Sequence, residues 1–236
     1  MCPPSSFNLD ATQPISHVST IHPPEIVPPS PMCTSTYHLV QRSLPPAIFN
    51  HSIRVYLYTK AFAQRANSPW IAPERLPLVF AACLFHDMGC ADEHDGPQRF
   101  EVCGADAAAE NLRKFEINDA DIQEVWTAIA LHTSPGIAER ITTLARFVRL
   151  AVLMDFNVLE KSSWADESEL EVNEEGYRRS IEGQFPRLNA EKVLGDIVVK
   201  QGMRKPTKAP AASWAGIMVR AANEEPSGFQ GVNKAF

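Results

Sequence analysis

The sequence predicts an all-α protein in which a helical body follows a proline-rich N-terminal arm. From residue 46 onward, apolar residues recur at steps of three and four, as on one face of an α-helix. Prolines and capping residues stand where these segments begin. The same region contains no alternating apolar and polar run long enough to indicate a β-sheet.

The arm is predicted over residues 1–35 and the helical domain over residues 36–236. Ten of the nineteen prolines lie within residues 1–46, and proline stops both long helices and central strands. Within this stretch only residues 35–44 have a helical pattern.

Six further segments are predicted to be helical. Pro46 and Pro73 stand at first-turn positions, Asn118 is an N-cap, and Gly89 ends a segment that is apolar almost all round. Trp126, Phe147 and Phe156 are assigned to core packing, and residues 92–95 to a solvated acidic turn. The segments cover residues 46–66, 73–88, 101–115, 118–132 and 137–160, with one or two helices in 176–201.

Composition and charge narrow the classes of function. The 236 residues are 44% hydrophobic and 21% charged, which is typical of a globular chain. The longest apolar run, 78–85, is far shorter than the ~18 residues of a membrane span, and the N-terminus has no basic head, so we expect a cytoplasmic protein. A net charge of −6 without a basic cluster argues against nucleic acid and favours a small neutral ligand; a homo-oligomer stays open. Five cysteines without a CxxC pair indicate reduced thiols.

Five ionisable residues fall on apolar helix faces: His51, His86, Asp87, His132 and Asp155. One such histidine is more often a hydrogen-bonded core residue, but three of them with two carboxylates are harder to explain by packing. Buried carboxylates need compensation, and a divalent ion bound by imidazole and carboxylate would satisfy all five. The helical period places Arg54 on the opposite side from this set.

The order of His51, the pair His86-Asp87 and a distant Asp155 resembles the HD-domain superfamily of metal-dependent enzymes, whose fold is a helical bundle. We expect the vicinal pair to reach one ion from a buried helix. The resemblance narrows to the fungal cyanamide hydratase type over about residues 36–236. The strings that carry it are FNHSIRVY at 49–56, LFHDMG at 84–89, RFE at 99–101 with GAD at 104–106, EVW at 124–126 leading to LHTS at 131–134, and GVNKAF at 231–236.

This resemblance implies that His51, His86, Asp87 and Asp155 bind the metal. His132 would be an extra ligand or a group that handles protons behind the ligands, and Asp87 or His132 would move the proton during catalysis. Zinc is our first choice, with iron or manganese as alternatives, because the donors are rich in nitrogen and lack thiolate.

The implied activity is that of a hydro-lyase which converts cyanamide, or a related nitrile-like compound, to urea. Hydroxide formed on the metal at neutral pH would attack the nitrile carbon. An HD phosphohydrolase acting on a nucleotide or another phosphoester is the alternative enzyme, although residues 88–95 are acidic and offer no cation for phosphate. A non-catalytic helical domain stabilised by metal is the third reading.

Overall fold

The computed structural model describes residues 24–159 and 175–224, which form ten α-helices and no β-strand. The predicted all-α class is confirmed. The C-terminal motif at 231–236 and residues 1–23 of the arm lie outside the described residues. The helices are α1 Pro31–Ser43, α2 Pro46–Arg65, α3 Leu76–Phe85, α4 Phe100–Arg113, α5 Asp119–Leu131, α6 Ala138–Ile141, α7 Thr143–Asp155, α8 Glu175–Gln184, α9 Ala190–Arg204 and α10 Trp214–Glu224.

Helix α3 is the centre of the core. Eight of its ten residues are buried, and helices α1, α2, α4, α5 and α7 all pack against it. Apolar side chains around the whole helix explain this position, since no face of α3 is suited to water. None of the described helices has both the length and the apolarity needed to cross a membrane.

Helix α1 begins earlier than predicted. It starts at Pro31, whose ring suits a first-turn position, and Met32 and Cys33 are already buried in the core. The predicted helix began at residue 35, and the proposed boundary between arm and domain at that residue falls inside α1. The hydrophobic side chains of the first turn therefore belong with the helical body.

Three other predictions of helix bounds are wrong. The segment predicted to begin at Pro73 begins at Leu76, so that Pro77 rather than Pro73 stands in the first turn. The segment 137–160 is two helices, because Thr142 adopts an extended conformation and its side chain accepts a hydrogen bond from the amide of Ala145, which caps α7. The C-terminal stretch, read as a mixed tail, contains α10, whose buried face includes Trp214 and Met218.

Two glycines allow α4 to pack tightly against the end of α3. A Cβ atom on Gly89 would lie 2.0 Å from the carbonyl oxygen of Phe100, and one on Gly104 would lie 2.7 Å from that of Phe85. Both neighbours are backbone atoms, which cannot rotate away. The two glycines thus fix the distance between α4 and the His86-Asp87 turn.

We expect Gly104→Ala to destabilise the protein by about 1–3 kcal/mol, because the added methyl group forces two backbones apart. The free energy of unfolding in urea measures the effect. Gly183→Ala in α8 is the matched control, since its Cβ has no neighbour within 4 Å and alanine favours the helix by about 0.5–1 kcal/mol. Equal stability of the two variants would contradict this account of the packing.

Candidate metal centre

The five predicted site residues are all buried, and four of them come from the ends of helices. His51 lies inside α2, while His86 and His132 are the C-caps of α3 and α5. Asp87 follows His86, and Asp155 is the last residue of α7. Each side chain is at most 2% exposed.

The His86-Asp87 pair was predicted to lie on a regular helix. In the structure it lies just beyond the end of α3. Helix α3 ends at Phe85, and the backbone of Asp87 (φ −104°, ψ 9°) has left the helical conformation. Adjacent residues on a helix point about 100° apart, so the change of backbone direction brings the imidazole and the carboxylate towards the same space.

Three donor atoms converge at this turn. The Nε2 atoms of His51 and His86 are 3.1 Å apart, and Asp87 Oδ2 lies 3.5 Å from the first and 3.2 Å from the second. Among the described residues, these three side chains form a group whose donor atoms all lie within 4.8 Å of one another. His132 Nε2 faces the other carboxylate oxygen, Asp87 Oδ1, at 3.7 Å.

Each of the three histidines has a hydrogen bond at Nδ1, which leaves Nε2 as the nitrogen that faces the cluster. His86 Nδ1 donates to the carbonyl of Cys83 at 2.6 Å, and His132 Nδ1 donates to that of Ile129 at 2.7 Å. His51 Nδ1 donates to Asp155 Oδ2 at 2.6 Å. Because these acceptors hold the proton on Nδ1, each neutral ring presents a lone pair at Nε2, as a metal ligand requires.

Asp87 has an unsatisfied carboxylate at the middle of this cluster. It is fully buried, and neither of its oxygens accepts a hydrogen bond of normal geometry from the described residues. Lone pairs of three imidazoles and a carboxylate in one buried space repel one another unless a proton or a metal cation lies between them. Nitrogen-rich donors with one carboxylate fit zinc, iron or manganese, so the residues present suit a divalent metal.

Burial and mutual charge shift the pKa values of these groups in different directions. Burial and the neighbouring His86 lower the pKa of His132 to about 3, so its ring is neutral at physiological pH. Burial also lowers the pKa of His51. Although burial opposes both changes, Asp87 raises the pKa of His86, and the histidines hold the pKa of Asp87 below its usual range.

We expect metal affinity to rise with pH, because the proton that Asp87 favours on His86 must leave before Nε2 can bind an ion. Since the pKa of His86 lies above the ordinary 6.5, affinity should increase up to about tenfold per pH unit below that pKa and level off above it. Zinc titrations against a competing chelator between about pH 6 and pH 8 measure this dependence. A flat profile would show that no proton is displaced.

Asp155 contacts this cluster through the ring of His51. Its Oδ1 accepts from Arg54 Nε at 2.7 Å, and its Oδ2 accepts from Arg54 Nη2 at 2.8 Å as well as from His51 Nδ1. Although burial opposes the shift, Arg54 and His51 hold the pKa of Asp155 below its usual range. Direct binding of the metal by Asp155 stays a prediction.

Arg54 was wrongly placed away from the site. It lies three residues after His51, a spacing that makes side chains neighbours on one helix surface, and its side chain is fully buried. The three-residue spacing from His51 was the signal in the sequence that could have placed Arg54 beside the site.

Aromatic rings surround the histidines. Phe156 was assigned to packing alone, yet its ring stacks on His51 with centroids 4.6 Å apart, and Phe100 meets His132 edge-on at 5.8 Å. The two histidines that they contact are at most 2% exposed. Sequence periodicity marked Phe156 as buried but did not show what it contacts.

The acidic turn after the His86-Asp87 pair is less solvated than predicted. The side chain of Asp95 is 8% exposed and pairs with Arg204, Lys205 and Lys208 from the end of α9 and the turn that follows it. Lys208 Nζ lies 3.0 Å from Asp95 Oδ1. The loop is therefore fixed to the C-terminal part of the chain.

The described residues form an all-α fold with a buried His-His-Asp cluster that could hold a divalent metal. Residues 48–151, which are less than half of the chain, match the family model described as HD domain. The match supports a metal-dependent function of the hydrolase type. A comparison with curated proteins found no match to this chain.

Proposed function

We propose that this protein is a metal-dependent enzyme that hydrates cyanamide, or a related small nitrile-like compound, to urea or its analogue. The observation that carries the proposal is the buried Asp87 carboxylate, which accepts no hydrogen bond from the described residues and faces the Nε2 atoms of three histidines. The resemblance to fungal cyanamide hydratases supports the choice of substrate.

His51, His86 and Asp87 Oδ2 would hold the ion. His132 would supply a further nitrogen, because a ring whose pKa is about 3 is a poor proton carrier at neutral pH but a permanent lone-pair donor. When bound, a divalent ion lowers the pKa of water to about 7 and polarises the substrate.

Asp87 would also orient the attacking water. Its Oδ1 faces His132 Nε2 at 3.7 Å and accepts no hydrogen bond within the part of the chain that the structure describes. It is therefore available to accept one from water and to hold that water towards the nitrile carbon. The water oxygen would bond to the nitrile carbon, the proton that this water gives up would go to the nitrile nitrogen, and the resulting isourea would tautomerise to urea.

Charge favours a small neutral substrate over a phosphoester. The cations that contact the metal-site residues or their neighbours are paired with carboxylates: Arg54 with Asp155, Arg149 with Glu139, and Arg99 with Glu101. A phosphate group needs such cations to balance its charge, whereas cyanamide does not.

A phosphohydrolase acting on a nucleotide or another phosphoester is the second candidate. The match to the HD domain favours it, since the match supports a hydrolase type of function. Under this alternative, at least one of the paired arginines would exchange its carboxylate for the substrate.

One experiment separates these candidates. Purified full-length protein is analysed for bound metals, loaded with zinc, iron or manganese, and assayed for urea release from cyanamide and for phosphate release from nucleotides. We expect about one equivalent of metal and urea production that stops with chelator. Phosphate release without urea would favour the second candidate, and bound metal without either product would indicate a non-catalytic domain.

A further inference from the structure

The side chain of Arg54 is held at four points in the core. Its Nε and Nη2 atoms donate to the two oxygens of Asp155, and its Nη1 donates to the carbonyls of Phe185 at 3.0 Å and Pro186 at 3.2 Å. A planar guanidinium bound in this forked manner has little rotational freedom. Arg54 therefore fixes the plane of the Asp155 carboxylate.

Asp155 is restrained from a second direction. Arg187 Nη1 donates to the backbone carbonyl of Asp155 at 2.6 Å and lies 3.6 Å from its Oδ1. With Arg54 and Arg187 bonded to it, the end of α7 is tied to the loop between α8 and α9. Asp155 Oδ2 is thus presented to His51 from a rigid support.

We propose that Arg54 and Asp155 are positioning residues that hold His51 in its Nδ1–H tautomer and aim its Nε2 at the metal centre. The carboxylate fixes the proton, while the ring of Phe156 stacked on His51 limits rotation about the side chain. This inference rests on the proposed metal centre but does not depend on which substrate the enzyme uses.

Charge balance gives the arrangement a second consequence. Both oxygens of Asp155 are used by Arg54 and His51, so its negative charge is neutralised inside the protein. Asp87 then remains as the carboxylate that faces the ion directly. A divalent ion at this centre keeps more of its positive charge than it would with two carboxylate ligands, which strengthens its action on water.

The test compares zinc affinity in Arg54→Met, Arg54→Lys, Asp155→Asn and the double variant Arg54→Met/Asp155→Asn. We expect Arg54→Met and Asp155→Asn each to weaken zinc binding by about 10–100-fold, the range for losing a partner that orients a ligand. Arg54→Lys keeps the charge and should restore part of the affinity. The double variant should lose no more than either single variant, because Arg54 acts through Asp155.

The matched control is Arg75→Met, which removes an arginine from a partly exposed pair with Asp121 and should leave zinc affinity unchanged. The proposal would be overturned if the losses of zinc affinity in the two single variants added up in the double variant. Wild-type zinc affinity in Arg54→Met would also overturn it. Circular dichroism checks that each variant is folded. If Arg54→Met does not fold, the zinc affinity of Arg54→Lys is compared with that of the wild type instead.

The tautomer of His51 gives a readout that a purely structural role would not change. Nitrogen-15 NMR of the full-length protein, with and without zinc, should show His51 as Nδ1–H in the wild type and a mixture of tautomers in metal-free Asp155→Asn, because an amide can donate to Nδ1 as well as accept from it. An unchanged tautomer would contradict the proposal. If the wild-type protein binds zinc but hydrates no nitrile, the proposed function fails while this inference is still decided by the tautomer.

Discussion

Asp87→Ala is expected to lose the metal and the catalytic activity together. The carboxylate is the one oxygen donor in the group of His51, His86 and Asp87, and neither of its oxygens accepts a hydrogen bond from the described residues. Removing a partner that only orients a ligand costs about 10–100-fold in metal affinity, so losing a ligand should cost more than about 100-fold. Metal analysis after gel filtration and an assay of urea release measure the two losses.

The same substitution should also destabilise the metal-free protein at neutral pH. The histidines hold the pKa of Asp87 below its usual range, so the fold stabilises the ionised carboxylate, and His86 loses the anion that raises its own pKa. We therefore expect metal-free Asp87→Ala to unfold at a lower temperature than the metal-free wild type. Asp92→Asn, at an exposed residue in the adjacent turn, is the control and should change neither metal content nor activity. Full metal retention in Asp87→Ala would exclude Asp87 as a ligand.

His132→Ala is expected to have the next largest effect on metal binding. The ring of His132 is neutral, donates from Nδ1 to the carbonyl of Ile129, and presents Nε2 to Asp87 Oδ1. These are the properties of a nitrogen ligand, so we expect zinc affinity to fall by more than about 100-fold. Calorimetric zinc titration of the wild type and the variant gives the difference.

The alternative role of His132 makes a different prediction. If His132 only moves protons, His132→Ala should retain zinc with wild-type affinity and lower kcat by about 10²–10⁴-fold. His94→Ala is a suitable control, because His94 lies in a short turn near the surface and should leave both quantities unchanged. Retained zinc with reduced kcat would therefore assign His132 to proton transfer and contradict its role as a ligand.

Local sequence signals predicted most helices because each depends on residues close together in the chain. The start of α2 at Pro46 and the cap of α5 at Asn118 are confirmed, since a proline in the first turn and an Asx cap act within one turn of helix. The break at Thr142 was missed because apolar periodicity continues across it. Helix α10 was missed because neighbouring proline, glycine and alanine residues obscured its apolar face.

The sequence by itself determined that His51, His86, Asp87, His132 and Asp155 would be buried, because helical periodicity places them among apolar residues. Only the tertiary structure decided how they meet. The backbone direction at the end of α3 depends on contacts between segments far apart in the chain. The distance between α2 and α7 depends on such contacts as well. Those contacts bring Arg54 to Asp155, 101 residues away, and place Asp155 in hydrogen-bond contact with His51.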